Sequence, residues 1–193
     1  MKKINIGYAF CGSFCTVKRS LEALKELAKT EANIIPIMSE IVYNTDTRFI
    51  KADDLKNQVE EVCHNKIIHE IVEAEPIGPK NLLDLIVVSP CTGNTAAKIA
   101  LGITDTPVTM AVKAGLRNNN PVVLALATND ALGASYKNIG LLQNMKNIFF
   151  VPYRQDDPFG KNNSLVCDFT KLTEAVNQAL IGKQLQPVVV EKK

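Results

Sequence analysis

Three short stretches carry residues suited to holding a small ligand. The first, Gly7-Tyr8-Ala9-Phe10-Cys11-Gly12-Ser13-Phe14, is an apolar run that ends in a small-residue turn. A turn of this kind opening a helix presents free N–H groups and the positive end of the helix dipole. Both favour a phosphate, and Ser13 adds a hydroxyl donor. The stretch is neither G-x-G-x-x-G nor a P-loop, because Gly12 is followed by Ser13 and not by Lys-Ser/Thr. It reads equally as a tight βα turn in which Ser13 or Thr16 caps the helix.

The second stretch runs Ser89-Pro90-Cys91-Thr92-Gly93-Asn94-Thr95-Ala96-Ala97-Lys98-Ile99-Ala100-Leu101-Gly102-Ile103-Thr104-Asp105. Pro90 fixes the chain direction where a buried run ends. Asn94 can donate and accept at once, which suits a heterocycle edge or a carboxylate. Thr92 or Asn94 also reads as a helix cap. The third stretch is Ala127-Thr128-Asn129-Asp130. There Asp130 is a candidate general base if burial raises its pKa, or else a cap for the next helix.

The elements that would position these loops alternate between strand and helix. Expected strands are residues 4–10, 34–38, 82–89, 121–127 and 147–152. Expected helices lie near 17–28, 54–64, 95–103 and 108–116, with a last one placing Leu172, Val176 and Leu180 inward. Leu85-Ile86-Val87-Val88 is unbroken and apolar, as in a strand covered on both faces. Pro36 argues that its strand lies near a sheet edge. The pattern predicts a single α/β domain over residues 1–185, a three-layer Rossmann-like or flavodoxin-like parallel sheet with helices on both faces, and a tail over 186–193 that is loosely ordered or contacts another subunit. In such sheets ligands bind beyond the carboxyl ends of the strands, where the connection order reverses.

Composition bounds the function. The 193 residues hold 22 Lys+Arg against 20 Asp+Glu, with 46% hydrophobic and 6% aromatic residues and no Trp. That balance gives no electrostatic footprint for nucleic acid or an anionic membrane surface. No run approaches the roughly 18 apolar residues of a membrane span. Met1-Lys2-Lys3 precedes a segment too short and polar for a signal peptide. Five scattered cysteines read as reduced thiols of a cytoplasmic protein, and their spacing makes no metal module.

Pro90, Asn94-Thr95, Ala97-Lys98-Ile99-Ala100, Gly102-Ile103 and Asp105 together resemble the signature of the flavoprotein superfamily that contains the FMN-dependent cysteine decarboxylases and the prenylated-flavin synthases. The resemblance covers residues 3–155. It implies an FMN site in which Gly12, Ser13 and Ser39 meet the phosphate and ribityl groups. Pro90, Thr92, Asn94, Thr95, Thr128 and Asn129 would surround the flavin, with Asn94 and Asp130 in catalytic roles. It also implies a homo-oligomer. Asn94 and Asn129-Asp130 stand where the prenylated-flavin synthases carry Lys and Glu, which disfavours prenyl transfer, and two departures disfavour the decarboxylase chemistry. Pro76 stands where the decarboxylases carry a histidine, with His69 seven residues further away. Ala127-Thr128-Asn129-Asp130 replaces their Pro-x-Met-Asn segment.

Cys11-Gly12-Ser13 with Pro90-Cys91-Thr92-Gly93-Asn94-Thr95 and Ala127–Gly133 is most similar to a branch found in endospore-forming bacteria. The resemblance implies a subunit that acts in the mother-cell cytoplasm beside a dehydrogenase-like partner, which carries NADP, to oxidise a small cyclic dicarboxylate. Lys98, Arg117 and Arg154 are candidate carboxylate partners or surface charges. A stand-alone flavin enzyme and a non-catalytic partner that keeps a cofactor cleft remain as alternatives.

Overall fold

The computed structural model describes residues 3–191. Met1, Lys2, Lys192 and Lys193, the extreme ends of the expected domain and tail, lie outside the described residues. Strand β1 (Asn5–Phe10) is followed by helix α1 (Val17–Ala28), strand β2 (Asn33–Met38), helices α2 (Glu40–Asn44), α3 (Ala52–Cys63) and α4 (Ile71–Ala74), and strand β3 (Leu85–Cys91). Helices α5 (Gly93–Ala100) and α6 (Pro107–Arg117), strand β4 (Val122–Thr128), helix α7 (Tyr136–Gln143) and strand β5 (Ile148–Phe150) complete the parallel part. The chain then makes strands β6 (Tyr153–Asp157) and β7 (Lys161–Cys167) and ends on helix α8 (Leu172–Leu180).

The parallel strands lie in the order β2-β1-β3-β4-β5, so β1 has β2 on one side and β3 on the other. All seven residues of β3 are buried, as its unbroken apolar sequence demands. Edge position suits β2, where Pro36 cannot donate to a ladder. Helices α1, α3 and α8 pack together, and α4, α5, α6 and α7 form a second group, so helices cover both faces.

Helix α1 buries Val17, Leu21, Leu24 and Leu27 along one face. Its expected side-chain cap does not form. The Thr16 hydroxyl donates to the Ser13 carbonyl and Ser13 Oγ, both at 3.0 Å, because residues 14–16 make a 3₁₀ turn that brings them together. Helix α6 instead starts on a reciprocal Thr106–Thr109 capping box with Pro107 in its first turn.

Helices α4 and α7 go beyond the sequence expectation, as do two further features. Helix α2 lies inside the polar stretch after β2. The β6–β7 hairpin adds an antiparallel extension, with Ala127 and Thr128 of β4 pairing with Val166 and Leu165 of β7. The hairpin is mostly polar, and only Tyr153 at its start and Ser164–Cys167 at its end are buried. Its pairing with the end of β4 supplies the order that its own composition does not predict. The C-terminal segment pairs as well: Tyr153 N–H donates to the Val188 carbonyl, and Val190 N–H donates to the Tyr153 carbonyl.

A buried hydroxyl network holds the carboxyl ends of β1 and β3 to α1. Ser20 Oγ donates to the Ser89 carbonyl at 2.7 Å and lies 2.9 Å from Ser89 Oγ. Tyr8 OH donates to the Ser20 carbonyl at 2.8 Å. All three residues are fully buried. Burial pushes the Tyr8 phenol well up, so it remains a neutral donor. Ser20→Ala leaves the Ser89 carbonyl without this donor in a dry interior. We expect it to lower stability by about 2 kcal/mol and Tm by about 4–8 °C. Thermal unfolding followed by circular dichroism measures this, and an unchanged Tm contradicts it.

Candidate functional site

The connection order reverses between β1 and β3, so the loops after these strands diverge and leave a crevice at their carboxyl ends. After β1, Ser13 N–H donates to the Cys11 carbonyl at 2.8 Å, folding the chain back at Gly12. At the end of β3 the Ser89–Pro90 bond is cis and the register against β4 shifts between Val88 and Cys91, and α5 begins at Gly93.

A cleft of about 550 Å³ opens here, with Gly12, Phe14, Ser39, Ile41, Thr92, Asn94, Thr95 and Lys98 among its lining residues. Ser39 precedes α2, and its carbonyl accepts from Val42 and Tyr43 N–H. Its side chain does no capping. Ser39 Oγ is shielded from solvent and has no hydrogen-bond partner. A buried hydroxyl left unpaired is costly unless a ligand completes it.

The capping duty at α5 falls to Thr92, whose Oγ1 accepts from Thr95 N–H at 3.1 Å. Asn94 is therefore exposed at the mouth of the cleft with its amide free of that duty. Lys98 Nζ grips both carboxylate oxygens of Asp105 at 2.9 and 2.7 Å. That hydrogen bond, with the ammonium charge, holds the Asp105 carboxyl below its usual range.

A smaller concavity of about 230 Å³ lies on the other side of the Gly12–Phe14 turn. Ser13, Cys15, Thr16, Arg19, Thr128, Asn129, Lys161 and Ser164 contribute to it. Ser13, Thr128 and Asn129 line this concavity, whereas Gly12, Ser39, Thr92, Asn94 and Thr95 line the larger cleft; the two spaces share the Gly12–Phe14 turn, and Thr128 abuts Gly93 at the start of α5. Pro90 is buried and lines neither space.

The structure also corrects the surroundings assigned to Asp130. It is exposed, lines neither concavity, and has both carboxylate oxygens engaged by the hydroxyls of Thr128 and Ser135. The burial on which the general-base expectation depended is absent. This cluster backs directly onto Gly93. A Cβ there would lie 2.6 Å from Ser135 Oγ and 2.8 Å from both Asp130 Oδ1 and Thr128 Oγ1, so only glycine fits.

Of the candidate cations, Lys98 reaches the larger cleft. Arg117 ends α6 beside Gly78, and Arg154 lines a different cavity with Tyr136 and Tyr153. His69 stacks on Tyr43, ring centroids 3.8 Å apart. Sequence reasoning missed Phe14, Ile41, Arg19 and Lys161. Arg19 was indistinguishable from the other charges on the solvent side of α1, and Lys161 belongs to the hairpin that composition concealed.

Residues 1–181 match the family model described as Flavoprotein. The chain belongs to the flavoprotein family. The B subunit of dipicolinate synthase from Bacillus subtilis (strain 168) is 43% identical to it over 191 residues, 99% of this chain and 96% of that protein. The crystal structure of the corresponding dipicolinate synthase subunit from Bacillus halodurans matches at TM-score 0.90 and 40% identity, over 100% of both chains. DmrB of Burkholderia xenovorans, solved in complex with FMN, matches this flavoprotein at TM-score 0.70 and 15% identity, over 93% of this chain and 96% of that one. That likeness is one of fold.

The thiols offer a direct check on the geometry. Cys11, Cys63, Cys91 and Cys167 are buried and Cys15 is exposed. Burial pushes Cys11 and Cys63 each up to about 12 and raises Cys91 and Cys167 as well. Thiolate, the reactive form, is scarce at all four. A chromogenic disulfide reagent at neutral pH should consume one thiol quickly in the native flavoprotein and five after denaturation. Two or more fast thiols would contradict the described burial.

Proposed function

We propose that this chain is the B subunit of a dipicolinate synthase, acting with a dehydrogenase-like A subunit to oxidise dihydrodipicolinate to dipicolinate. The observation that carries the reading is likeness along the whole chain to the B subunits of known dipicolinate synthases, 43% identical in sequence and at TM-score 0.90 in structure. The ring loses a hydride and a proton to become aromatic. The hydride goes to NADP⁺ on the dehydrogenase-like partner, and the proton goes to solvent or a nearby base.

FMN fits the larger cleft. The unpartnered Ser39 hydroxyl, the Gly12–Ser13 turn and the exposed Asn94 amide are the donors such a group requires. In our reading Ser39 and the Gly12–Ser13 turn hold phosphate and ribityl oxygens, and Asn94 orients the heterocycle. Thr92 and Thr95 keep the α5 N-terminus in place, and Thr128 and Asn129 border the neighbouring concavity. When bound, flavin would supply a two-electron carrier between the ring and the NADP⁺ of the partner. Lys98, fixed by Asp105, keeps a positive charge at the rim.

The exposed apolar side chains Leu101, Ile103, Tyr136 and Leu141 supply surface for a homo-oligomer. Among the described residues no helix is long and apolar enough to cross a membrane. The chain itself carries no dinucleotide fingerprint, so the nicotinamide belongs to the partner.

The test is dipicolinate formation by this chain alone, the dehydrogenase-like partner alone and the two together, with NADP⁺ present and FMN varied. Only the mixture should form product at the full rate. Robust turnover by this chain alone, or full activity of the partner alone, contradicts the reading. Asn94→Ala should lower the rate of the mixture more than tenfold, about 1.4 kcal/mol, with Tm unchanged because Thr92 caps α5. Equal loss of Tm and activity would make Asn94 structural.

A further inference from the structure

We propose that the smaller concavity, between the start of α1 and the β6–β7 hairpin, is the subsite for a small planar dicarboxylate, with Arg19 as the residue that grips one carboxylate. The proposal deepens the oxidoreductase reading above and rests on it for the identity of the ligand.

Four observations carry it. First, the space holds donors: the Ser13 hydroxyl, the Asn129 amide N–H groups and two cations, Arg19 and Lys161, stand around about 230 Å³, while the hydroxyls of Thr128 and Ser164 are spent on Asp130 and the Asn129 oxygen. That is less than half the volume of the larger cleft, and small for a flavin. Second, the charges are unequal. Asp156 is the sole carboxylate in the lining and is paired with Lys161 at 3.3 Å, whereas Arg19 has no carboxylate partner among the described residues.

Third, Arg19 is oriented without being neutralised. Its guanidinium carbon lies 4.9 Å from the centroid of the Phe169 ring, and Phe169 is buried. A cation on an aromatic face keeps its N–H fork free for bidentate carboxylate binding. Fourth, Leu165 and Val166 add apolar lining against which a flat ring can lie, and both are held in place by pairing with β4. Ser13 lines this space while its neighbours Gly12 and Phe14 line the larger cleft, so one turn borders both. A ring bound here is adjacent to a group bound there.

Cys15 supplies a reporter, being exposed and part of the lining. The rate of Cys15 alkylation by a small maleimide is measured on the intact protein with dipicolinate, FMN or inorganic phosphate added. Dipicolinate should slow it several-fold, and FMN and phosphate should leave it unchanged. Dipicolinate affinity is then measured by titration calorimetry on the wild type, Arg19→Gln and Arg19→Lys, with FMN affinity in parallel. Arg19→Gln should weaken dipicolinate at least about tenfold, Arg19→Lys should weaken it less, and FMN affinity should not change.

Protection of Cys15 by FMN in place of dipicolinate overturns the proposal, because the concavity then belongs to the flavin. Equal protection by phosphate overturns it as well, because the site then recognises charge and no ring. Should this chain and its dehydrogenase-like partner together make no product while Arg19-dependent dipicolinate binding persists, the subsite stands and the synthase reading falls. Should the mixture be active while Arg19→Gln leaves both KM and Cys15 protection unaltered, the subsite falls and the synthase reading stands.

Discussion

The Ser20 hydroxyl is the tie on which the ligand-facing end of the molecule depends. It sits on α1 yet bonds the carbonyl of Ser89 at the end of β3, while Tyr8 from β1 bonds the Ser20 carbonyl. Three elements are thus fixed to one another in a dry interior, where an unmet polar group costs far more than a met one gains. The loops that follow β1 and β3 start from this knot and part in opposite directions. The crevice is the space left between them.

From that crevice the turn Cys11–Phe14 divides two environments of different character. The side facing α5 offers a solvent-shielded hydroxyl, a helix N-terminus and an amide as neutral donors, beside Glu40 and a Lys98 ammonium already held by Asp105. The side facing the hairpin offers an unneutralised guanidinium and a second cation. Neutral donors suit a phosphate ester and heterocycle already bound by backbone, whereas a free guanidinium suits a carboxylate. The two spaces border one turn, so the ligands proposed for them would lie side by side.

Much of this was written in the sequence. Unbroken apolar runs such as Leu85–Val88 can only be strands covered on both faces, and Pro36 marked the edge. The ligand-facing loops followed from small polar residues at strand ends. The hairpin was hidden because Tyr153–Asp157 and Lys161–Asn163 are polar, and their strand state comes from pairing with the end of β4. Helix α7 was hidden because Gly140 interrupts an otherwise weak pattern. The surroundings of Asp130 and Arg19 depended on how the chain folds. Thr128 and Ser135, close in sequence, occupy the first, and Phe169, far along the chain, orients the second.

The crevice between β1 and β3 is, on this reasoning, shaped to receive a ligand that completes Ser39. A crystal structure of the protein grown with FMN tests this most directly. Flavin is expected in the larger cleft, with a phosphate or ribityl oxygen about 2.7 Å from Ser39 Oγ and a further contact to the Gly12 N–H. Flavin bound elsewhere, or bound in the cleft with Ser39 Oγ still unpartnered, would contradict it.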